Sequence, residues 1–142
     1  SRNLMVDGER LGLIDFQDAL MGPATYDLAS LLRDSYIALD ESLIEKLLAY
    51  YQAQMRQGLS SSQCTAMHLD DAETFRRLFD FSSIQRNLKA AGRFVYIDRV
   101  KGNPNFLQSI PRTLHNVHAN LSKYPQLHRL LKHLSPYVPE WQ

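Results

Sequence analysis

The sequence is poor in cysteine and has no excess of charge of either sign. Cys64 is the single cysteine among its 142 residues, so an intramolecular disulfide is excluded and a reducing compartment such as the cytoplasm is expected. The formal net charge is +1, which gives no global field to attract nucleic acid or an anionic membrane. No apolar run approaches the roughly 20 residues that span a bilayer. These absences favour a cytoplasmic protein without a nucleic-acid or membrane partner.

The composition suits a single globular domain. Hydrophobic residues make up 44% and charged residues 22% of the chain, and 142 residues are enough to enclose a hydrophobic core. The chain opens with two short apolar runs, residues 4–6 and 11–16, which are separated by Asp7-Gly8-Glu9-Arg10. Asp and Gly both tolerate a positive φ, so this pattern predicts a β-hairpin at the front of the domain.

Helical spacing of apolar residues follows the hairpin. After Gly22-Pro23, the pattern predicts a helix from residue 25 or 26. A second helix is predicted between Asp40, its N-cap, and Gly58, which ends it. Residues 60–62 are three serines, which predict a loop before the next helix.

The longest helical pattern covers residues 70–101. Apolar residues recur there three and four positions apart, Gly102-Asn103-Pro104 stops the helix, and a break near Ser82 is compatible with the pattern. Two shorter helices are expected at about 112–122 and 126–134. The expected fold class is therefore α+β and mostly α, with one β-hairpin at an edge.

Two oxygen-bearing side chains flank the predicted hairpin. Asn3 precedes its first strand and Asp15 ends its second, so strand pairing should bring the two close together. A carboxylate and an amide carbonyl are hard oxygen ligands of the kind that Mg²⁺ takes. The alternative is that Asn3 caps a turn and that Asp15 is an ordinary residue at a strand end.

The residues around this pair resemble a family of phosphotransferases. The motifs in question are Asn3-Leu4-Met5-Val6, Leu13-Ile14-Asp15-Phe16-Gln17-Asp18-Ala19, Gly22-Pro23 and Tyr26-Asp27-Leu28-Ala29. They are similar to the catalytic loop H-x-D-x-x-x-x-N, the strand end I-D-[FW]-x-x-A and the helix start G-x-x-x-x-D-L-A of the aminoglycoside phosphotransferase and choline kinase superfamily. This resemblance implies the C-terminal helical lobe of a protein-kinase-like fold, with ATP and Mg²⁺ as cofactors.

The resemblance also implies roles for individual residues. Asn3 and Asp15 would hold the Mg²⁺ that accompanies ATP. Asp27 would accept hydrogen bonds from the backbone of the catalytic loop, a role compatible with stabilising the N-terminus of a helix. Asp18 is expected to be a structural turn residue, although it lies close to Asp15 in the sequence.

The same resemblance places the catalytic aspartate outside these residues. The family motif puts it five residues before Asn3, ahead of Ser1, and the ATP-binding N-terminal lobe would precede it. The chain begins without an initiator methionine and without the charged and apolar regions of a signal peptide. We therefore expect a fragment that is inactive without the N-terminal lobe of the same protein.

A narrower resemblance extends over most of the chain. Residues 14–34 are similar to the bacterial kinases that phosphorylate the anomeric hydroxyl of N-acetylmuramate and N-acetylglucosamine. Similar segments follow in Gln85-Arg86-Asn87-Leu88-Lys89-Ala90-Ala91-Gly92 and Ile110-Pro111-Arg112. The narrower resemblance implies a sugar or amino sugar as the small-molecule substrate that accepts the phosphoryl group.

Basic side chains supply the candidate substrate contacts. Arg86, Lys89 and Arg93 fall on one face of the long helix, where they form either a solvated ridge or one wall of a substrate cleft. Arg33-Asp34 forms either a salt-bridged helix end or a substrate contact. The candidate substrate-binding residues are therefore Arg33, Asp34 and Arg86.

Other chemically capable side chains suit packing or surface positions better. His115 and His118 lie three residues apart, but further zinc ligands are not suitably placed in the sequence, so surface histidines are expected. Tyr50-Tyr51 and Trp141 are expected to pack against apolar residues. Cys64 has no adjacent base that would activate it as a nucleophile.

Three classes of function remain open. The first is a kinase that transfers the γ-phosphoryl group of ATP to a hydroxyl group of a small molecule. The second is a non-catalytic kinase-like binding module, which gives no reason to keep both metal ligands. The third is a helical interaction domain, which leaves the Asn3 and Asp15 pair unexplained. Among acceptors for a kinase, the basic long helix favours a neutral or anionic sugar over an aminoglycoside. A choline site would need an aromatic cage, for which Tyr36, Tyr50 and Tyr51 are the candidates.

Overall fold

The computed structural model describes residues 3–14 and 21–141. Strand β1 (Leu4–Asp7) and strand β2 (Arg10–Leu13) pair antiparallel and form the predicted hairpin, which is confirmed. Gly8 in the connecting turn has a φ of 59°, a left-handed conformation that a residue without a Cβ adopts readily. The expected extension of the second strand to residue 16 lies outside the described residues.

Three helices follow in the first half of the domain. Helix α1 covers Tyr26–Leu32, α2 covers Glu41–Gly58 and α3 covers Ser61–Ala66. The prediction of a serine loop at residues 60–62 is wrong. Ser60 accepts a hydrogen bond from the Gln63 backbone N–H, and the Gln63 side chain accepts one from the Ser60 backbone N–H. This reciprocal pair is a capping box, and it starts α3 where a loop was expected.

Helix α4 (Ala72–Lys101) is continuous over 30 residues, so the break near Ser82 does not occur. The Ser83 hydroxyl donates to the carbonyl four residues earlier at 2.8 Å, and the Ser82 hydroxyl forms a hydrogen bond of 2.9 Å with Thr25. Both hydroxyls are thus satisfied without interrupting the helix. Gly102 ends it with a φ of 65°, as the Gly-Asn-Pro sequence predicts.

The C-terminal third consists of short helices that return along α4. Their bounds are Pro104–Ser109 for a 3₁₀ helix, Ile110–Lys123 for α5, Pro125–Leu127 for a second 3₁₀ helix, His128–Leu134 for α6, and Ser135–Tyr137 and Pro139–Trp141 for two 3₁₀ turns. The indole N–H of Trp141 donates to the Leu114 carbonyl at 2.9 Å. This bond attaches the tail to α5, so the expected packing role of Trp141 is confirmed.

Two apolar clusters hold the helices together. The first joins α1, α2 and α3 to the first part of α4 around Ile44, Phe75 and Phe79. The second joins the middle of α4 to α5 around Ile84 and Val117, with α6 and the tail packed against it. The result is a mostly α-helical lobe with a hairpin at its edge, which confirms the predicted fold class.

Candidate functional site

The open end of the hairpin carries the first candidate residue. The Asn3 backbone carbonyl accepts a hydrogen bond from the Ile14 N–H at 3.0 Å, so pairing continues one step beyond the two strands. Asn3 therefore lies opposite Ile14, the residue that precedes Asp15 in the sequence. Asp15 and Asp18 lie outside the described residues. The metal pair of Asn3 and Asp15 stays a prediction.

The donor chemistry at this end of the hairpin fits a magnesium ion. Asn3 is exposed and offers an amide oxygen, a hard ligand. A cation bound to it would remain accessible to water and phosphate oxygens. Within residues 3–14 and 21–141, no three His, Cys, Asp or Glu side chains are grouped as a metal site. A cation held by few protein ligands and completed by phosphate oxygens and water is the usual arrangement for Mg²⁺.

Asp27 occupies the first turn of α1 and is exposed. A carboxylate at this position interacts favourably with the partial positive charge of the helix N-terminus, as one of its two interpretations requires. Its expected hydrogen bonds to the catalytic loop would involve residues that precede Asn3. The second interpretation therefore stays a prediction.

A cavity of about 250 Å³ lies between α4 and the segment that follows α1. We call it the basic cavity. One wall is formed by Ser30 and residues 33–36, and the other by the α4 residues Arg86, Asn87, Lys89, Ala90, Arg93 and Phe94. The fold thus brings together Arg33, Asp34 and Arg86, which the sequence marked as candidate substrate contacts. Four side chains of the lining are cationic and one is a carboxylate, so the cavity favours an anionic ligand.

Arg86 of α4 contacts Tyr26 of α1. Its guanidinium donates to the Tyr26 hydroxyl at 3.4 Å and lies 5.3 Å from the centroid of the Tyr26 ring. The hydrogen bond from Arg86 lowers the pKa of the Tyr26 hydroxyl, against the opposing effect of burial. Arg86 is thus half-buried and oriented by a partner, which favours the cleft wall over the solvated ridge for this residue.

Asn87 is a residue of this cavity that the sequence did not single out. It is buried, and its amide nitrogen has no hydrogen-bond partner in the described part of the chain. An unpaired buried amide costs about 1–3 kcal/mol, so a ligand acceptor or an ordered water is expected to receive its hydrogen bond. The signal that could have found Asn87 is a polar residue between Ile84 and Ala91 on the apolar stripe of α4.

Arg33 and Asp34 shape the opposite wall of the basic cavity. Arg33 is buried and forms a salt bridge with Glu41 at 2.5 Å, which confirms the salt-bridged interpretation of the helix end. The Asp34 carboxylate accepts a hydrogen bond from the Tyr36 backbone N–H at 2.9 Å, and the Tyr36 carbonyl accepts one from Arg112 at 3.0 Å. The wall is therefore fixed from both α2 and α5 before any ligand binds.

The tyrosines that were considered for a choline cage do not come together. Tyr36 contacts the ring of Phe94, whereas Tyr51 stacks on Phe75. Phe75 and Phe94 lie 19 positions apart on one continuous helix, which separates them by about 28 Å. Tyr50 is exposed, so the expected packing role holds for Tyr51 and is wrong for Tyr50.

The remaining candidates are accounted for by ordinary packing. Cys64 is buried in the first cluster, and its sulfur lies 4.0 Å from the Leu59 carbonyl. His115 is exposed, and the ring of His118 packs 5.5 Å from that of Trp141. Among the described residues, no helix combines the length and hydrophobicity that a membrane span requires.

Known proteins resemble the chain over most of its length. Residues 1–61 match the model of the phosphotransferase enzyme family. The chain is 35% identical over 127 residues to an N-acetylmuramate/N-acetylglucosamine kinase of Neisseria meningitidis. It is 32% identical over 130 residues to kinases of the same name from Pseudomonas putida and Pseudomonas aeruginosa. No solved structure matches.

These alignments cover 89% of the chain for the Neisseria kinase and 91% for the Pseudomonas kinases, but 36% of each relative. The chain thus spans about a third of the length of the curated relatives it matches. Because most of its residues are aligned, the similarity reaches beyond residue 61 into the helices that form the basic cavity. The chain is thus similar to the phosphotransferase enzyme family over residues 1–61 and to these kinases over most of its length.

Proposed function

We propose that this chain is the substrate-binding and metal-binding part of an ATP-dependent sugar kinase that works in the cytoplasm. The whole protein would transfer the γ-phosphoryl group of ATP to a hydroxyl group of an N-acetylated amino sugar, at the anomeric position. The observation that carries this proposal is the basic cavity, whose two walls come from the segments that resemble sugar kinases. The match of residues 1–61 to the phosphotransferase family model and the names of the relatives support the reaction class.

The acceptor would bind in the basic cavity. Arg86, Lys89 and Arg93 line one wall and offer donors to a carboxylate or to sugar oxygens, and the buried Asn87 amide offers another. Asp34 is the carboxylate of the opposite wall and suits a sugar hydroxyl. An N-acetylmuramate-like sugar carries one carboxylate, so it would use both the cationic wall and the hydroxyl-accepting wall.

Asn3 and Asp15 would hold Mg²⁺ at the open end of the hairpin. When bound there, Mg²⁺ would neutralise phosphate oxygens and hold the transferring group in line. The residues of this chain would hold the acceptor beside that end and exclude water from the cavity. The relatives are about two and a half times as long as the chain, so we propose that the ATP-binding lobe and the catalytic base of the whole protein belong to residues beyond these 142.

The other acceptors fit this cavity less well. An aminoglycoside is a polycation, and the cationic wall would repel it. Choline is usually bound by an aromatic cage, and the tyrosines that were considered for one contact different parts of α4. A non-catalytic binding module would use the basic cavity in the same way but would show no turnover.

The test is the specificity of the whole protein. We expect kcat/KM with ATP and Mg²⁺ to be highest for N-acetylmuramate and N-acetylglucosamine, and lowest for kanamycin and choline. A preference for kanamycin or choline would discard the sugar and leave the kinase reaction. Absence of turnover with all four, in a folded protein that binds ATP, would contradict the kinase and favour the binding module.

A further inference from the structure

A second cavity, of about 550 Å³, lies nearer the N-terminus of α4. It is enclosed by the start of α2, the first half of α4 and the second half of α5, and we call it the ion-paired cavity. Arg33 lines both cavities, whereas Glu41, Arg76, Asp80 and Lys123 line this one alone. Its volume lies in the range of small-molecule sites, which is about 300–1,000 Å³.

The charges of this cavity are already paired with one another. Glu41 accepts from Arg33 at 2.5 Å and from Arg76 at 2.8 Å. Asp80 is 1% exposed, and one of its carboxylate oxygens accepts from Arg76 at 3.1 Å and from Lys123 at 3.3 Å. The lining holds three cations and three carboxylates. An ion of either sign that entered the cavity would therefore find no excess of opposite charge to balance its own.

Unpaired polar atoms are concentrated at this cavity. Within the described residues, four buried side-chain nitrogen or oxygen atoms have no hydrogen-bond partner, and three of them belong to residues that line it. They are the second carboxylate oxygen of Asp80, the amide nitrogen of Asn120 and Nε of Arg33. One is an acceptor and two are donors, and each costs about 1–3 kcal/mol while it stays unpaired.

We propose that the ion-paired cavity binds a small, uncharged polyhydroxylated molecule, a sugar or a polyol, at a site separate from the acceptor cavity. A hydroxyl group both donates and accepts, so two or three neighbouring hydroxyls satisfy all three atoms without adding charge. The proposal does not depend on the kinase activity.

Lys123 is the cover of this site. Its ammonium donates to the Asp80 carboxylate and, at 3.1 Å, to the Asn120 amide oxygen, and its side chain is 38% exposed. The lysine side chain is long and flexible, so its displacement by a ligand would give access to both residues at the cost of these two hydrogen bonds. Tyr124 donates to the same Asp80 oxygen at 2.9 Å and keeps that carboxylate in place.

The test is calorimetric titration of the whole protein with sorbitol, glucose and inorganic phosphate at constant ionic strength. We expect the polyols to bind with a Kd of about 1 mM and phosphate to give no binding at this site. Ala119→Phe, which fills the cavity from α5, should weaken polyol binding at least about tenfold, or about 1.4 kcal/mol. Ala53→Phe, on the exposed face of α2, should leave it unchanged.

Three results of the titrations would overturn the proposal. They are the absence of polyol binding, polyol binding that survives Ala119→Phe in a folded protein, and binding of phosphate that Ala119→Phe abolishes. Asn116 also lines the cavity and is half-buried. If Ala119→Phe fails to fold, Asn116→Phe is the variant used in its place to block the cavity. A crystal soaked with glucose should place hydroxyls on Asp80 and Asn120, and ordered water alone on these atoms would also reject the site.

Discussion

The hairpin and the helical body of this protein differ in what holds their residues in place. Side chains of the hairpin are mostly exposed, with Val6 at 75%, and its described hydrogen bonds run between its own two strands. The body buries Phe79 and Val117 completely. Asn3, the proposed metal ligand that the structure describes, lies at the open end of the hairpin, and the cavities lie in the body. We therefore propose that cation binding depends on the hairpin and stability on the body, so that substitutions should separate the two properties.

The largest effect is expected at the hairpin end. Asp15→Ala in the whole protein should lower kcat/KM on the order of 10⁴-fold, or about 5 kcal/mol, because the cation that bridges the phosphates loses its carboxylate. The melting temperature should change little. Steady-state kinetics and calorimetry on the same preparation measure the two quantities.

Asp18→Ala is the matched control, since it removes a carboxylate three residues away. It should cost about 1 kcal/mol of stability and leave the chemistry close to that of the unaltered protein. Equal losses of activity in the two variants, with stability unchanged in both, would reverse the assignment of the metal ligand.

The second effect belongs to the body and should have the opposite signature. Phe79→Ala removes a fully buried ring from the first cluster, so the free energy of unfolding should fall by about 3–5 kcal/mol. At a temperature where the variant is still folded, kcat/KM should stay close to normal. Denaturant unfolding gives the first quantity. A loss of kcat without a loss of stability would erase the separation between body and hairpin.

The third effect tests the basic cavity. Lys89→Gln keeps a polar side chain but removes one charge, so KM for an N-acetylmuramate-like acid should rise about tenfold with kcat unchanged, which is about 1.4 kcal/mol. KM for the neutral N-acetylglucosamine should change little. Lys46→Gln, on the exposed face of α2, serves as control. An equal rise of KM for both sugars would mean that Lys89 does not contact the carboxylate.

A smaller effect is expected from pH. Burial alone would raise the pKa of Glu41, but hydrogen bonds from Arg76 and Arg33 outweigh it and the pKa is lowered below the ordinary 4.5. A lowered folded-state pKa gives stability that is present above pH 4.5 and is lost as the pH falls through the folded-state value. The stability difference between the unaltered protein and Glu41→Gln should therefore shrink below pH 4.5. Glu45→Gln, whose carboxylate lies 3.6 Å from Arg76, is the control. A difference that stays constant with pH would contradict the ion pair.

The elements that the sequence predicted well are those fixed by local chemistry. Asp7-Gly8 specifies the hairpin turn, and Gly102 specifies the end of α4, because both glycines adopt a positive φ. The start of α3 was missed although Ser60 and Gln63 have the spacing of a capping box. The run of serines is typical of a loop, but Gln63, which follows it, completes the capping box and makes Ser60 the N-cap of a helix.

The parts of the site that were missed depend on contacts between distant segments. Asn87 and Asp80 are buried polar residues of α4 whose surroundings come from residues 33–36 and from α5. Helical spacing places Arg86 and Lys89 on one face, but only the packing of residues 33–36 makes that face a cavity wall. The pairing of Asn3 with Asp15 stays a prediction.

The smallest effect concerns the exposed strand of the hairpin. Val6→Thr keeps a β-branched side chain of the same shape at a position that is 75% exposed, so the free energy of unfolding should change by less than about 0.5 kcal/mol. The same exchange at Val117, which is 0% exposed in the second cluster, buries a hydroxyl and should cost about 1–3 kcal/mol. Denaturant unfolding of the two variants measures the contrast directly, since the chemical change is identical. A cost at Val6 as large as that at Val117 would show that the hairpin is packed against other residues in the whole protein, and the separation of cation binding from stability would then fail.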